Sequence, residues 1–291
     1  MSDVVSSTPS IQLQGIVHPD SYFQIVERNE LDWQLWLDVL QGKVAGAIFR
    51  GILNQELCQQ ISHNFWHSPS LRQTADGIQA HYKAFLGPSL SKPLDVYFDQ
   101  AERTRKDVQG LFANTGDFFQ FLLGSIGKHL ADQGCSLRVA EHNGRKAGEC
   151  RMRSWANTNT GTFVFAPHDD VGMLKSPHLQ DFEIGQLVNN RVVGVNICLE
   201  NGEGGDIHYW NISPNDECRK ALGFKYDGFG YPVAALADFD KIVLPICKGD
   251  IYLFDLTKVH AVGCQTKEGG ERLSISWYMG FCDPTTVIYW T

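Results

Sequence analysis

The stretch GTFVFAPHDD (161–170) carries an aromatic and β-branched run, Phe163, Val164 and Phe165, that ends in His168-Asp169-Asp170. Such a run reads as a buried strand, and its end is loaded with groups that rarely sit at a buried strand end without a task. In extended chain, residues i and i+2 point to one face and i+1 to the other. His168 and Asp170 therefore converge, and Asp169 turns away. Asp169 is accordingly expected to be the more tolerant of the two acids.

A second run, GDIYLFDLTKVH (249–260), ends in His260, and Arg272 follows 12 residues later in ERLSISWYMGF. Strand ends around a barrel mouth are places where side chains distant in sequence meet. Two imidazoles and one carboxylate can take three adjacent positions on a metal and leave the others open, the arrangement suited to Fe(II) and oxygen chemistry. A single strand-end histidine is more often structural, and an H-x-D pair is common by chance. The three-part pattern followed by an arginine makes the metal reading the stronger one, with His168, Asp170 and His260 as ligands. Alternation places Arg272, Ser274 and Ser276 on one face of their strand and Leu273, Ile275 and Trp277 on the other. An arginine facing a barrel interior requires an anion, and its planar fork matches a carboxylate. The plainer reading is a surface arginine paired with Glu271.

His208 is a weaker candidate, placed in GGDIHYW (204–210). His63, His67, His81, His129, His142 and His178 have no metal-ligand spacing. No P-loop, G-x-G-x-x-G or G-x-S-x-G occurs, which removes the usual nucleotide, Rossmann and hydrolase signals.

The remaining chain fits an α+β fold. LDWQLWLDVLQG (31–42), NQELCQQISHNFW (54–66), DQAERTRKDVQGLF (99–112) and DFFQFLLGSIGKHLADQG (117–134) have helical periodicity. Asn54 is a natural N-cap, with Leu57, Ile61 and Phe65 on one face. VAGAIFRGIL (44–53) reads as a short strand, and residues 67–98 read as irregular. From Cys135 onward the chain is short strands: CRMRSWANT, GTFVFAPHDD, RVVGVNICLE, GGDIHYWNI, DKIVLPI, GDIYLFDL and ERLSISWYMGF. This density predicts a sandwich or barrel over about 136–282 beside a helical part over about 31–134, in a single domain spanning 16–291. Asn201-Gly202 and Gly204-Gly205 predict a hairpin between ICLE and DIHYW.

Composition narrows the partners. The 291 residues are 43% hydrophobic and 20% charged, ordinary for a globular protein. The net charge of −8 counts against nucleic acid, and no apolar run is long enough to span a bilayer. The eight cysteines are dispersed with no C-x-x-C, which predicts free thiols. The first 15 residues are polar and predicted to be frayed and disordered, without a secretory signal. A cytoplasmic protein acting on a small molecule is expected.

His168-x-Asp170, His260 and Arg272-x-Ser274 together resemble the iron- and 2-oxoglutarate-dependent dioxygenase superfamily. The resemblance implies a double-stranded β-helix (jelly-roll) core. It implies Fe(II) on His168, Asp170 and His260, with the distal carboxylate of 2-oxoglutarate on Arg272 and Ser274, and O₂ as co-substrate. HYKAFLGPSLSKPLDVYFDQAERTRKDVQGLF (81–112) and DFFQFLLGSIGKHL (117–130) are further similar to cyanobacterial enzymes that tailor free alkaloids, including standalone aliphatic halogenases. The halogenases replace the metal-binding acid with a small residue; this chain keeps Asp170. The resemblance thus implies hydroxylation of an unactivated C–H bond in an alkaloid-like natural product, with succinate and CO₂ as co-products. It also implies helical segments between about 54 and 131 as a wall or lid over the barrel mouth. The same oxidative chemistry ending in desaturation, epimerisation or cyclisation is an alternative, as are a protein or nucleic-acid hydroxylase and a non-catalytic metal-binding jelly roll.

Overall fold

The computed structural model describes residues 12–73, 81–155, 162–224, 228–267 and 271–291. Most of the predicted frayed N-terminus, part of the irregular stretch 67–98, Gly161 and the tail of CRMRSWANT lie outside the described residues. Two β-sheets face one another. The larger runs in the order β1 (Ile25–Arg28), β2 (Gly46–Phe49), β9 (Ile251–Asp255), β6 (Val193–Glu200), β11 (Leu273–Asp283), β4 (Arg151–Trp155) and β3 (Tyr82–Leu86), with β12 (Thr286–Trp290) also on β11. The smaller contains β5 (Phe163–Asp169), β10 (His260–Gly263), β7 (Ile207–Trp210) and β8 (Lys241–Leu244), in that order, with the two-residue strand Gly228–Phe229 beyond β5. From β4 to β11 the chain passes back and forth between the sheets, and only β7 and β8 are consecutive within one.

Alternation along the strands of the larger sheet sorts two environments. Val193, Val195, Ile197 and Leu199 of β6, with Leu273, Ile275 and Trp277 of β11, face outward into a core with Trp36, Ile61, Phe65, Phe119 and Ile126. Those partners come from α1 (Trp33–Leu40), α2 (Gln55–Trp66) and α4 (Phe118–Asp132); α3 (Leu94–Gly110) lies between α2 and α4 in the chain. Each of the first two helices starts where a side chain accepts an orphan amide: Asp32 from Leu35 N–H at 2.9 Å and Asn54 from Leu57 N–H at 2.9 Å. The opposite, inner face carries Cys198, Tyr252, Phe254 and Tyr278, packed with Ile207, Tyr209 and Val262 of the smaller sheet.

Three expectations change. The helices α1, α2 and α4 buttress the outer face and do not cover the mouth; the wall there comes from β3 and the Ser89–Ser91 turn, with Tyr82, Phe85 and Leu90 exposed to the central cavity. Residues 82–86, inside the stretch read as irregular, form a strand because β4 supplies an antiparallel partner; the flanking Gly, Pro and Ser residues masked that signal. The predicted ICLE–DIHYW hairpin does not form. β6 pairs with β9 and β11, whereas β7 pairs with β8 and β10. Gly204 and Gly205, at φ +84° and +72°, turn the chain from one sheet to the other. Cys58, Cys150, Cys198 and Cys218 are buried, and none of these four is in a disulfide. No helix among the described residues is long and apolar enough to cross a membrane.

The outer core predicts the molecule's sensitivity. Ile275 is fully buried against the helices and points away from the inner face. Ile275→Ala should destabilise the fold by about 3 kcal/mol, read by chemical denaturation, while leaving the inner side chains in place.

Candidate active site

The site begins as a cross-strand pair. β5 and β10 run antiparallel with His168 directly opposite His260, and the two rings lie 4.1 Å apart between centroids. Each imidazole is held from behind by a backbone carbonyl two residues earlier: Nδ1 of His168 lies 2.9 Å from the Ala166 oxygen, and Nδ1 of His260 lies 3.0 Å from the Lys258 oxygen. A neutral imidazole satisfies such a contact only as the Nδ1–H donor, which leaves the Nε2 lone pair free. Burial, and secondarily the neighbouring His260, hold the His168 pKa well below its usual value, so this ring is neutral and ready to ligate.

Asp170 follows the last residue of β5 with φ −97° and ψ −1°, a bend that begins a four-residue helix, Val171–Leu174. The bend does not spoil the convergence read from alternation. Asp170 Oδ2 lies 3.7 Å from His260 Nε2, and the ligand atoms of His168, Asp170 and His260 all lie within 4.8 Å of one another. They are the one cluster of potential metal ligands among the described residues. Burial raises the Asp170 pKa, a tendency that His260 opposes. A partly buried carboxylate converging with two imidazoles, each tied to a carbonyl through Nδ1, fits a divalent cation.

Asp169 turns away, but into a demanding place. Its carboxylate is fully buried, accepts from Arg219 Nε and Nη2 at 3.1 and 3.0 Å and from the Tyr231 hydroxyl at 2.6 Å, and receives Val171 N–H at 3.0 Å. The expectation that Asp169 is the tolerant acid is therefore corrected. The side chain clamps the end of β5 to the helix Asp216–Ala221, and with it the backbone that aims Asp170.

Arg272 is 3% exposed and lines the same cavity, a space of roughly 930 Å³ that opens to solvent. It is not the surface ion pair of the plainer reading, since Glu271 pairs with Lys83. Nη2 donates to the Tyr252 hydroxyl at 3.2 Å, while Nε and Nη1 have no partner. A buried guanidinium with unpartnered N–H groups fits an incoming carboxylate. Gly205 abuts it: a Cβ there would sit 3.1 Å from Arg272 Nη1. Ser274 is buried, and its Oγ accepts from Trp155 Nε1 at 3.1 Å, so its own proton remains available to donate. His208 lies on the opposite face of β7, against Phe163 and Trp210, and is not part of the cavity wall. Sequence reading missed Arg151, Arg153 and Trp155. Alternation in RMRSW already put the three on one face, but only the register of β4 against β11 shows that this face is the cavity.

No family model matches the chain. Over 254 residues, 84% of this chain and 82% of the relative, it is 24% identical to L-isoleucine 3(1)-dioxygenase of Pantoea ananatis (strain AJ13355). Over 207 residues, 70% of this chain and 69% of the relative, it is 25% identical to L-gamma-glutamyl-L-propargylglycine hydroxylase of Streptantibioticus cattleyicolor. Its fold matches the crystal structure of an N-substituted L-amino acid dioxygenase from Burkholderia ambifaria AMMD with a TM-score of 0.56 at 14% identity, covering 89% of this chain and 91% of that one. The same protein in complex with alpha-KG matches with a TM-score of 0.53. The His-Asp-His cluster and these similarities point to one class: the chain resembles the non-haem iron, 2-oxoglutarate-dependent dioxygenases in its ligand-like cluster, and is similar in sequence to a dioxygenase and a hydroxylase. Enzymes of the class use Fe(II), 2-oxoglutarate and O₂.

The clamp and the cluster make separable predictions. Asp169→Ala strips Arg219 and Tyr231 of their buried acceptor and should cost about 3–5 kcal/mol in denaturant unfolding. Asp170→Ala, with no such network, should leave the unfolding midpoint much nearer that of the parent.

Proposed function

We propose that this enzyme hydroxylates an unactivated C–H bond of an amino-acid-type small molecule, coupled to conversion of 2-oxoglutarate to succinate and CO₂. His168, Asp170 and His260 hold Fe(II), and Arg272, assisted by Ser274, binds the distal carboxylate of 2-oxoglutarate. The crossings of strands between the two sheets support a double-stranded β-helix, with the three candidate ligands at its mouth. The bound metal supplies oxygen activation. The chain's own residues fix the two imidazole tautomers, aim the carboxylate, and hold the co-substrate by a guanidinium kept from water. Fixed geometry of this kind decides which C–H bond reacts.

The observation that carries the hydroxylation reading is Asp170, whose carboxylate converges with the two histidines. A carboxylate there takes the position that a halide needs. The sequence relatives are named for an amino acid and a γ-glutamyl amino acid. That favours an amino-acid-type substrate over the alkaloid-like one suggested by residues 81–130.

Three measurements test this. After anaerobic reconstitution, His168→Ala and His260→Ala should fail to retain iron by metal analysis; full retention and turnover in both would refute the ligand assignment. Arg272→Leu should lose on the order of 2–4 kcal/mol of 2-oxoglutarate binding, roughly 30- to 1,000-fold in affinity; unchanged affinity would remove Arg272 from this role. With a panel of amino-acid derivatives, succinate should form with one oxygen atom from O₂ in the product, and a chlorinated product in chloride buffer would overturn the hydroxylase reading.

A further inference from the structure

Arg151 and Arg153 stand two residues apart on β4 and project to its inner face. The register sets Arg153 opposite Ser274 and Arg151 opposite Ser276, so both line the cavity beside Arg272. Arg153 is 8% exposed. Its Nη1 donates to the Tyr82 hydroxyl at 2.9 Å, its guanidinium carbon lies 4.8 Å from the centroid of the Trp155 ring, and its Nε has no partner. Arg151 donates from Nη2 to the Tyr278 hydroxyl at 2.6 Å and from Nε to Ser276 Oγ at 3.4 Å.

Hydroxyls position these two guanidiniums but do not neutralise them. The contrast with other sheltered arginines is informative. Arg50 pairs with Asp250, Arg191 with Asp255 and Arg219 with Asp169, all within 3.0 Å. Neither Arg151 nor Arg153 has an ion pair among the described residues. Sheltered cations without counter-ions are costly, and the usual resolution is a bound anion.

The charge of the cavity says more. Among its described lining residues are three arginines, Arg151, Arg153 and Arg272, and a single carboxylate, Asp170. A divalent metal and dianionic 2-oxoglutarate cancel each other. Three guanidiniums against one carboxylate leave two positive charges for the substrate to answer. A free amino acid brings no net charge, and its ammonium would enter a cavity where the only described acid is assigned to the metal.

We infer that Arg151 and Arg153 bind an anionic group of the primary substrate, and that the substrate enters as a net anion with its amine acylated or otherwise uncharged. The substrate is then an N-acylated amino acid or similar carboxylate, not a zwitterion. This rests on the reading above that Arg272, not Arg153, receives the 2-oxoglutarate carboxylate. The two arginines are specificity-determining groups set by β4, with Tyr82, Trp155 and Tyr278 holding their planes.

The test uses matched probes: L-leucine, L-isoleucine and L-phenylalanine, their N-acetyl derivatives, and the corresponding N-acetyl amides. Binding is measured by anaerobic spectral titration of the full chain loaded with Fe(II) and 2-oxoglutarate, and by calorimetry on the metal-free chain. At least one N-acetyl acid should bind about tenfold or more tighter than both its free amino acid and its amide. R153Q and R151Q should each weaken that binding roughly 10- to 100-fold, with R153K recovering part of it and circular dichroism melting confirming the fold. R153Q should hold 2-oxoglutarate within about threefold of the parent's affinity, where R272L loses far more. Equal binding of free and acetylated amino acids, binding of no N-acetyl acid, or a 2-oxoglutarate loss in R153Q as large as in R272L would each overturn the inference. Failure of the dioxygenase reading has a different signature: no 2-oxoglutarate binding and no succinate, with arginine-dependent anion binding to the metal-free chain persisting.

Discussion

The antiparallel pairing of β5 with β10 is the constraint on which the rest of the site depends. It sets His168 opposite His260 at the depth where both rings can be fixed from behind by their own strands. The pairing is short and irregular, with register shifts between Phe163 and His168. What secures its end is the Asp169 clamp, a carboxylate that receives two nitrogens of Arg219, the Tyr231 hydroxyl and a helix amide. Two adjacent acids in one dipeptide thus have opposite tasks. One is anchored permanently inside the protein, and its anchoring aims the other at the cavity.

The convergence of His168 with Asp170 and the strand pattern were legible in the sequence because they depend on period-two geometry, which needs no knowledge of the fold. His168 and Asp170 share a direction, and the structure brings them to one cavity with His260 and Arg272; Ser274, on the same strand face as Arg272, meets Trp155 Nε1. Helices at Trp33–Leu40, Gln55–Trp66 and Phe118–Asp132 were legible for the matching reason, since capping and apolar periodicity are local. What sequence could not supply was partnership. The glycines after ICLE look like a hairpin, but β6 and β7 belong to different sheets. Tyr82–Leu86 becomes a strand only because β4 lies beside it. Asp169 looked dispensable because its partners, Arg219 and Tyr231, are 50 and 62 residues away. Arg151 and Arg153 were quoted as strand residues without a role for the same reason: their meaning lies in the register with β11.

The cavity chemistry follows a consistent division. Aromatic rings and hydroxyls form most of the wall, and charge is confined to a few groups whose directions are constrained. Each histidine is fixed by one carbonyl, Arg272 by one phenol, and Arg153 by a phenol and two aromatic faces. Preorganisation of this kind lowers the ordering cost when a co-substrate and substrate arrive.

The larger sheet also acts as a partition. Its odd-numbered β6 residues are committed to the helical buttress, and its even-numbered ones, Gly194 and Asn196 among them, border the reaction space. Neighbouring residues therefore answer to different demands, one set by packing density and the other by the shape of whatever molecule is oxidised. A lineage descending from this chain could exchange its substrate by altering every second residue of a strand without disturbing the helices behind it. The alternation that makes the fold readable is also what leaves it free to diversify.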